Sequence, residues 1–178
     1  MSARLPVYLA GPDVFLPDSA EIGRRKQAIC AAHGFEGHYP GAEVDLVGLT
    51  PTAQARALFE SCVEMMDRCV AGFANITPFR GPSADVGTAF EMGYLFGRGF
   101  PVFGYTSHTD DYSARVSDEE GMVEDFGLAD NLMLEGPMMR RELTIVRAAE
   151  TGPWPSAALA AFEIAVHLAA GELDTRNA

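Results

Sequence analysis

The sequence predicts an α/β protein with a doubly wound, flavodoxin-like, mostly parallel five-stranded sheet and helices on both faces. Short apolar runs of four to seven residues alternate along the chain with longer helix-like segments. Such alternation implies parallel strands joined by right-handed crossovers. The chain has 178 residues, 48% of them hydrophobic and 21% charged, which is enough for a full core. We therefore predict a single domain over residues 1–178.

Caps and breakers mark the ends of the individual elements. Asp18 or Ser19 can cap a first helix, and Gly34 can end it. Pro51 suits the first position of a second helix. The apolar runs predict strands over residues 7–10, 37–40, 70–76, 101–105 and 143–146. The intervening patterns predict helices over residues 19–33, 51–67, 86–96 and 155–171.

One segment between the predicted fourth and fifth strands is strongly acidic. Residues 109–135 contain nine acidic residues and one basic residue, Arg115. Such a composition is typical of a solvated surface segment. We therefore predict a loop with a short helix here, and we regard it as a candidate lid.

The net charge limits the partners of this protein. A formal net charge of -12 argues against a nucleic-acid partner and against binding to an anionic membrane surface. A single small anionic ligand remains compatible with this charge, because a local cluster of backbone N–H groups can hold one.

Cofactors and metal ions are not expected from the motifs. The three cysteines form no Cys-x-x-Cys pair and the four histidines are scattered, so the sequence predicts no metal site. Neither a P-loop nor a Gly-x-Gly-x-x-Gly motif follows the first strand, which argues against nucleoside triphosphates and nicotinamide cofactors. No stretch is long enough for the core of a signal peptide or for a membrane span, and the cysteines fit a reducing compartment, so we expect a cytoplasmic protein.

Ligands of doubly wound sheets bind beyond the carboxyl ends of the strands, where the strand order reverses. Three parts of this chain are predicted to meet there. They are Gly11 with Pro12, residues 75–81, and residues 85–91.

Two carboxylates in the third of these parts are the strongest candidates for chemistry. Glu91 lies among apolar neighbours such as Phe90 and Met92, where a carboxylate is costly unless it is stabilised or used. Asp85 stands at the entrance of the same helix, and Gly87 leaves room for a ligand. Paired carboxylates are the usual groups that cleave glycosidic bonds. The alternatives are a purely capping role for Asp85 and a solvated helix position for Glu91.

Further candidates lie on the first strand and in the loop after the third. Tyr8 could orient a carboxylate through its hydroxyl, or it could be a core tyrosine. Asn75 could serve a ligand or brace the next loop. Arg80 could contact a ligand, although we favour an ion pair with a nearby carboxylate. The aromatic residues that could sandwich a flat base, or belong to the core, are Phe15, Phe79 and Phe103.

Four segments carry a resemblance to a known family. They are residues 8–15 (YLAGPDVF), 74–81 (ANITPFRG), 85–94 (DVGTAFEMGY) and 126–134 (FGLADNLML). Together they resemble the nucleoside 2-deoxyribosyltransferases, above all the purine-type enzymes of trypanosomatids. The resemblance implies transfer of 2-deoxyribose from a 2'-deoxynucleoside to a free nucleobase, with no metal or organic cofactor.

The resemblance also implies a role for each candidate. Glu91 would be the nucleophile that attacks the anomeric carbon, Asp85 would exchange a proton with the base or help to hold it, and Tyr8 would hold the nucleophile. Asn131 matches a family residue that reaches into a neighbouring subunit's pocket, which implies a homo-oligomer. The candidate substrate-binding residues are Gly11, Pro12, Phe15, Asn75, Arg80, Gly87 and Asn131.

The sequence departs from the family pattern at two positions. Cys62 stands where members often carry Asp or Asn, and Val70 where many carry Asp. The nucleobases exchanged and the choice between ribose and deoxyribose therefore stay open, and a non-catalytic nucleoside-binding module is one alternative. A second is a deoxynucleoside 5'-monophosphate N-glycosidase of the same superfamily. It is disfavoured because residues 11–18 include Asp13 and Asp18 but no lysine, arginine or serine.

Overall fold

Five parallel strands form one sheet in the computed structural model, which describes residues 3–41, 44–149 and 154–174. The strands are β1 (Leu5–Ala10), β2 (Phe35–His38), β3 (Ala71–Asn75), β4 (Val102–Thr106) and β5 (Val146–Arg147). The α-helices of this part of the chain are α1 (Ser19–Ala32), α2 (Pro51–Asp67), α3 (Val86–Gly97), α4 (Leu132–Met139) and α5 (Ser156–Asp174). The strand order is β2-β1-β3-β4-β5 and all four pairings are parallel, which confirms the predicted flavodoxin-like topology.

Helices cover both faces of the sheet, because alternate residues of each strand point to opposite sides. Val7 and Leu9 of β1 belong to a core cluster that includes Phe162 of α5. Tyr8 of β1 belongs to a second cluster on the other face, together with Met92 of α3. The predicted orientation of Tyr8, opposite to its neighbours, is therefore confirmed.

Local signals explain how α2 and α3 are placed. The Thr50 side chain caps α2 by accepting a hydrogen bond from the Ala53 N–H, and Pro51 occupies the first turn. Asp85 caps α3 in the same way. Gly72 of β3 lets α3 approach the sheet closely, because a Cβ at this position would lie 2.4 Å from Cδ1 of Leu95. This close approach brings the amino-terminal half of α3 beside the carboxyl ends of β1 and β3.

Three elements differ from the sequence prediction. Strand β2 begins at Phe35 rather than at residue 37, because Gly34 adopts a φ of 85° and turns the chain directly into the sheet, where Phe35 is buried. Strand β5 is Val146–Arg147 and not residues 143–146. Helix α4 begins within the acidic segment, where a short helix was predicted, but it continues through Gly136 and Pro137 to Met139.

The acidic segment is not wholly a solvated loop. Two short 3₁₀ turns, Tyr112–Ala114 and Asp118–Glu120, lie within this segment, in which the sequence predicted a short helix. Its last part is packed into the protein, because Asp130 and Glu135 are both buried.

The expectation that no segment is long enough to cross a membrane is wrong for α5. Residues 156–173 have a mean hydropathy of 1.3, and only 39% of them are buried. This is weak evidence for a membrane span, because a core helix has the same length and composition. Phe162 and Val166 of α5 are fully buried against the sheet, as in a core helix.

A buried ion pair ties the start of the chain to α1. Asp13 and Lys26 form this pair, and each side chain is 1% exposed. The Asp13 carboxylate also accepts hydrogen bonds from the Asn75 amide at 3.0 Å and from the Trp154 Nε1–H at 2.9 Å. Burial lowers the pKa of Lys26, and the Asp13 charge opposes that shift. The pair fixes the 3₁₀ turn Pro12–Phe15 that follows β1.

We predict that Lys26→Met destabilises the fold, because it leaves the buried Asp13 carboxylate without its counter-ion. The expected loss is about 3 kcal/mol in the free energy of unfolding, measured by chemical denaturation. Arg24→Met is the matched control on the same helix, since Arg24 pairs with Glu21 at the surface and should lose less than about 1 kcal/mol. Equal losses in the two variants would contradict the prediction.

Candidate active site

A cavity of about 230 Å³ lies beyond the carboxyl end of β1. It is bounded by the turn after β1, the loop after β2, one face of α2 and the first two turns of α3. Its lining residues are Gly11, Val14, Phe15, Pro40, Gly41, Leu58, Cys62, Asp85, Gly87, Thr88 and Glu91. Both predicted carboxylates are therefore in one cavity, at the place where a sheet of this topology binds its ligands.

Tyr8 lies behind the cavity wall and is hydrogen-bonded to the lining residue Glu91. The Tyr8 hydroxyl donates a hydrogen bond of 2.6 Å to Oε1 of Glu91. Tyr8 is fully buried, and Glu91 is partly buried. No group in the described part of the chain forms a hydrogen bond with the other oxygen of Glu91. The predicted contact between these two residues is thus present, and one carboxylate oxygen remains available to a ligand.

The environment of Glu91 favours its neutral form. Burial raises the pKa of Glu91 to about 7, the Asp85 charge adds to this effect, and the Tyr8 hydrogen bond opposes it. Burial and the nearby Glu91 charge raise the pKa of Tyr8 far above its usual value, so Tyr8 stays a hydrogen-bond donor. A carboxyl that ionises near neutral pH is typical of groups that take part in chemistry.

Asp85 uses only one of its oxygens to cap α3. Its Oδ2 accepts hydrogen bonds from the Gly87 N–H at 3.0 Å and the Thr88 N–H at 3.2 Å. Its Oδ1 has no hydrogen-bond partner among the residues that the structure describes. Asp85 therefore caps α3, as one alternative predicted, and it also lines the cavity.

Neighbouring side chains leave no room for a Cβ at two glycines of the cavity wall. Gly11 has a φ of 153°, and a Cβ there would lie 2.8 Å from both Cβ of Asn75 and Oδ2 of Asp13. A Cβ at Gly87 would lie 2.9 Å from Oδ2 of Asp85. Both glycines line the cavity, as predicted. Pro12 is buried at the start of the 3₁₀ turn and is not among the lining residues.

Asn75 braces the loop instead of lining the cavity. Its amide nitrogen donates to Asp13, and its Oδ1 accepts from the Thr77 N–H at 3.0 Å and from the Thr77 hydroxyl at 2.6 Å. The side chain is fully buried and all of its hydrogen-bonding groups are used. The structure therefore supports the bracing alternative for this residue and not direct contact with a ligand.

Arg80 lies over aromatic rings and not beside a carboxylate. Its guanidinium carbon is 5.0 Å from the centre of the Phe15 ring and 4.7 Å from the Phe79 ring. Within the described residues no carboxylate pairs with Arg80, so the favoured ion pair is wrong. Arg80 is exposed and is not a lining residue of the cavity.

The aromatic residues do not form an open sandwich. Phe15 and Phe79 stack on each other, with ring centres 5.4 Å apart and an angle of 12° between the rings. This distance leaves no room for a base between them. Phe103 is buried in the core. Of these three residues only Phe15 lines the cavity, and it is 55% exposed.

Asn131 lies outside the cavity of its own chain. It caps α4 by accepting a hydrogen bond from the Met133 N–H at 2.9 Å, and its amide donates to Glu124 at 3.3 Å. Its proposed place near a neighbouring subunit's site stays a prediction.

The sequence reasoning missed several lining residues. Cys62 was noted only as a departure, but it lines the cavity and lies close enough to Tyr8 to affect the pKa of that hydroxyl. Burial raises the pKa of the Cys62 thiol. Thr88 has a buried hydroxyl with no hydrogen-bond partner among the described residues. The spacing of Leu58 and Cys62, four residues apart on α2, was the signal that could have identified this wall.

The described part of the chain contains no group of three or more His, Cys, Asp or Glu side chains that could hold a metal ion.

The fold and the cavity define an α/β protein with a small-molecule site at the carboxyl ends of its strands. The family model described as nucleoside 2-deoxyribosyltransferase matches residues 7–133. This match covers more than half of the chain, and the protein belongs to that family.

Solved structures agree with this assignment. The 2-desoxiribosyltransferase from Leishmania mexicana is 28% identical with a TM-score of 0.60, covering 73% of this chain and 85% of that one. A 2-deoxyribosyltransferase from Bacillus psychrosaccharolyticus has 17% identity and a TM-score of 0.52, with 86% and 95% covered. A conserved protein from Enterococcus faecalis V583 also has 17% identity, with a TM-score of 0.53 and 91% and 99% covered. At 17% identity, the latter two show the fold alone.

One curated relative is similar in sequence. An uncharacterised protein of Schizosaccharomyces pombe is 34% identical over 113 residues, which are 62% of this chain and 54% of that protein. The chain thus spans about half the length of this curated relative.

We predict that Tyr8→Phe raises the pKa of Glu91 above about 7, because it removes the hydrogen bond that favours the carboxylate. The pKa can be measured by NMR titration of the labelled Glu91 carboxyl. Tyr94→Phe is the matched control, since Tyr94 is on the same helix and donates to Asp67 at the surface. An unchanged Glu91 pKa in Tyr8→Phe would be incompatible with the proposed contact.

Proposed function

We propose that this protein transfers 2-deoxyribose between nucleobases through a covalent bond between the sugar and Glu91. The observation that carries the proposal is the Glu91 carboxylate in the cavity, held at one oxygen by Tyr8 at 2.6 Å and unpaired, within the described residues, at the other. The family assignment supports the same class of reaction.

In the first step, the free oxygen of Glu91 attacks C1' of a 2'-deoxynucleoside. The C1'–O ester bond forms as the bond from C1' to the base breaks, and the base leaves with that electron pair. Asp85 supplies a proton to the departing base through Oδ1, while Oδ2 keeps its helix-capping bonds. Tyr8 fixes the direction of attack, which lowers the barrier by positioning the reacting atoms.

In the second step, a nitrogen of another nucleobase attacks C1' and gives its proton to Asp85. The ester bond breaks and Glu91 regains its carboxylate. Two inversions at C1' give retention of configuration. Water in place of the second base gives hydrolysis as a side reaction. Neither step requires a metal ion or organic cofactor.

The apolar wall of the cavity supports transfer over hydrolysis. Phe15, Leu58 and Cys62 leave few hydrogen bonds for water near the ester, and the exposed part of the Phe15 ring offers an apolar contact to a nucleobase. Gly11 and Gly87, which line the cavity without side chains, are the proposed contacts of the sugar. In this proposal Pro12, Asn75 and Arg80 act indirectly, by fixing the turn that carries Phe15.

A homo-oligomer is part of the proposal. The cavity of about 230 Å³ is smaller than the usual range for small-molecule sites, which supports a second subunit as part of its wall. Asn131 of a neighbouring subunit would then contact the substrate. We further propose a cytoplasmic role in nucleoside salvage, as expected for this family.

Two other functions are less well supported. A monophosphate N-glycosidase needs a cation near the 5'-phosphate, but the turn after β1 contributes Asp13, and the nearby Lys26 is buried and paired with it. A binding module without turnover would need no raised pKa at Glu91. Comparing the hydrolysis rate of a deoxynucleoside monophosphate with that of its nucleoside distinguishes an N-glycosidase from a deoxyribosyltransferase.

We predict that Glu91→Gln abolishes base exchange, because a neutral amide cannot form the ester. The assay incubates a purine 2'-deoxynucleoside with a second free purine and follows the new nucleoside by chromatography. The expected loss is at least about 1,000-fold, with the fold retained by circular dichroism. Glu36→Gln, at an exposed position of β2, is the matched control and should keep full activity.

A trapped intermediate provides a direct test. The wild-type protein, quenched in acid after incubation with the nucleoside alone, should gain the mass of one deoxyribosyl group, located on Glu91 by peptide mapping. Absence of both exchange and this adduct in folded wild-type protein would overturn the proposal.

We predict that kcat/KM for a 7-methylated purine 2'-deoxynucleoside, whose base leaves without a proton from Asp85, rises as pH increases through about 7. Glu91 attacks only as the carboxylate, and its raised pKa means that this form becomes dominant only near that pH. The profile should move to higher pH in Tyr8→Phe and stay unchanged in Tyr94→Phe. A rate that is already constant from pH 5 upward would contradict Glu91 as the nucleophile.

A further inference from the structure

Asp130 connects two parts of the protein through one buried carboxylate. Its Oδ2 accepts a hydrogen bond of 2.9 Å from the Ala84 N–H. Its Oδ1 accepts from the Ser83 hydroxyl and, at 2.8 Å, from the Asn131 N–H. Ala84 directly precedes Asp85, so the Asp130 carboxylate holds the Ser83–Ala84 peptide group, one residue before the residue that caps α3.

The position of Asp130 is itself fixed by charged groups. Glu135, which is also buried, accepts hydrogen bonds from the Ala129 and Asp130 N–H groups. Arg115 donates to the Pro82 carbonyl at 3.1 Å and to the Ala129 carbonyl at 2.5 Å, and its guanidinium lies 3.7 Å from the Asp130 carboxylate. The loop before α3 and the end of the acidic segment are therefore clamped together.

Burial of these charged groups costs more free energy than a purely structural contact requires. Two carboxylates are removed from water, and apolar side chains of similar size often stabilise a core as well as buried ionic groups do. What the carboxylate of Asp130 provides is direction, because three donors converge on it from fixed places.

We infer that Asp130 is a positioning residue, which acts through Ala84 to place the free oxygen of Asp85 for proton transfer to the leaving base. The inference rests on the proposed function. Asp130 is not one of the residues that line the cavity, so it does not contact the reacting atoms. Proton transfer demands hydrogen-bond distance between acid and base, and small displacements of a catalytic group reduce rates strongly.

The two substrates that test this inference differ in their need for a proton, and each variant is compared with wild type on the same substrate. An ordinary purine 2'-deoxynucleoside needs a proton on the base as the base leaves. A 7-methylated purine 2'-deoxynucleoside already carries a positive charge on its base, and the base leaves without a proton. A misplaced Asp85 should slow the first substrate and spare the second, whereas a general loss of structure slows both.

The variants are Ser83→Ala, which removes one donor to Asp130, and Asp130→Asn, which replaces the carboxylate with an amide of the same shape. We expect kcat for the ordinary substrate to fall about 10-fold in Ser83→Ala and about 100-fold in Asp130→Asn, with KM nearly unchanged. The kcat for the methylated substrate should stay within about twofold of wild type in both. Ser113→Ala is the matched control, because it removes a surface hydroxyl that bonds Asp125 in the acidic segment.

Each outcome decides the question. Equal losses for both substrates, or no loss for either in Ser83→Ala, would overturn the positioning role. If Asp130→Asn does not fold, the substrate ratio in Ser83→Ala still gives the answer. Failure of the wild-type protein to turn over either substrate would instead reject the proposed function, so the two failures are distinguishable.

Discussion

The Asp13 carboxylate is the interaction on which the rest of this structure depends. It binds Lys26 from α1, Asn75 from the end of β3 and Trp154 from the segment before α5, so it joins distant parts of the chain at one buried point. These contacts fix the turn after β1, which forms one wall of the cavity. The hydrogen bonds behind this edge of the sheet therefore hold the wall of the cavity in place.

The carboxylates that line the cavity are, in contrast, only partly hydrogen-bonded. Behind the turn, every buried charge has a partner, whereas inside the cavity one oxygen of Glu91 and one of Asp85 have no partner among the described residues. Burial without a counter-ion is what raises the pKa of Glu91. The protein thus combines a fully satisfied polar network, which supplies rigidity, with an incompletely satisfied one, which supplies reactivity.

The sequence predicted the parts of this arrangement that local rules govern. Strand alternation predicted the sheet, and Glu91 stood out because its neighbours on α3 are apolar. What local rules could not predict is which long-range partner a polar side chain chooses. Asn75 and Asp13 are 62 residues apart, and their contact removed Asn75 from the list of groups free to bind a ligand.

The remaining errors have the same origin. Arg80 was expected to pair with a carboxylate in an acidic protein, but its guanidinium lies over the rings of Phe15 and Phe79, which come from separate segments. The full length of α4 was not predicted because Gly136 and Pro137 have low helix propensity. Tertiary contacts, including those of the buried Glu135, outweigh that propensity. Cys62 faces the cavity only because α2 packs across it, which a single segment cannot reveal.

The dual use of Asp85 limits how this protein can change over evolutionary time. One oxygen begins a helix, and the other is available to a substrate. A lineage that abandons the chemistry can still accept Asn, Ser or Thr at this position, because those residues also begin helices well. Loss of activity should therefore leave a folded descendant, and a pseudoenzyme of this kind would keep a small polar residue at position 85 long after Glu91 had drifted.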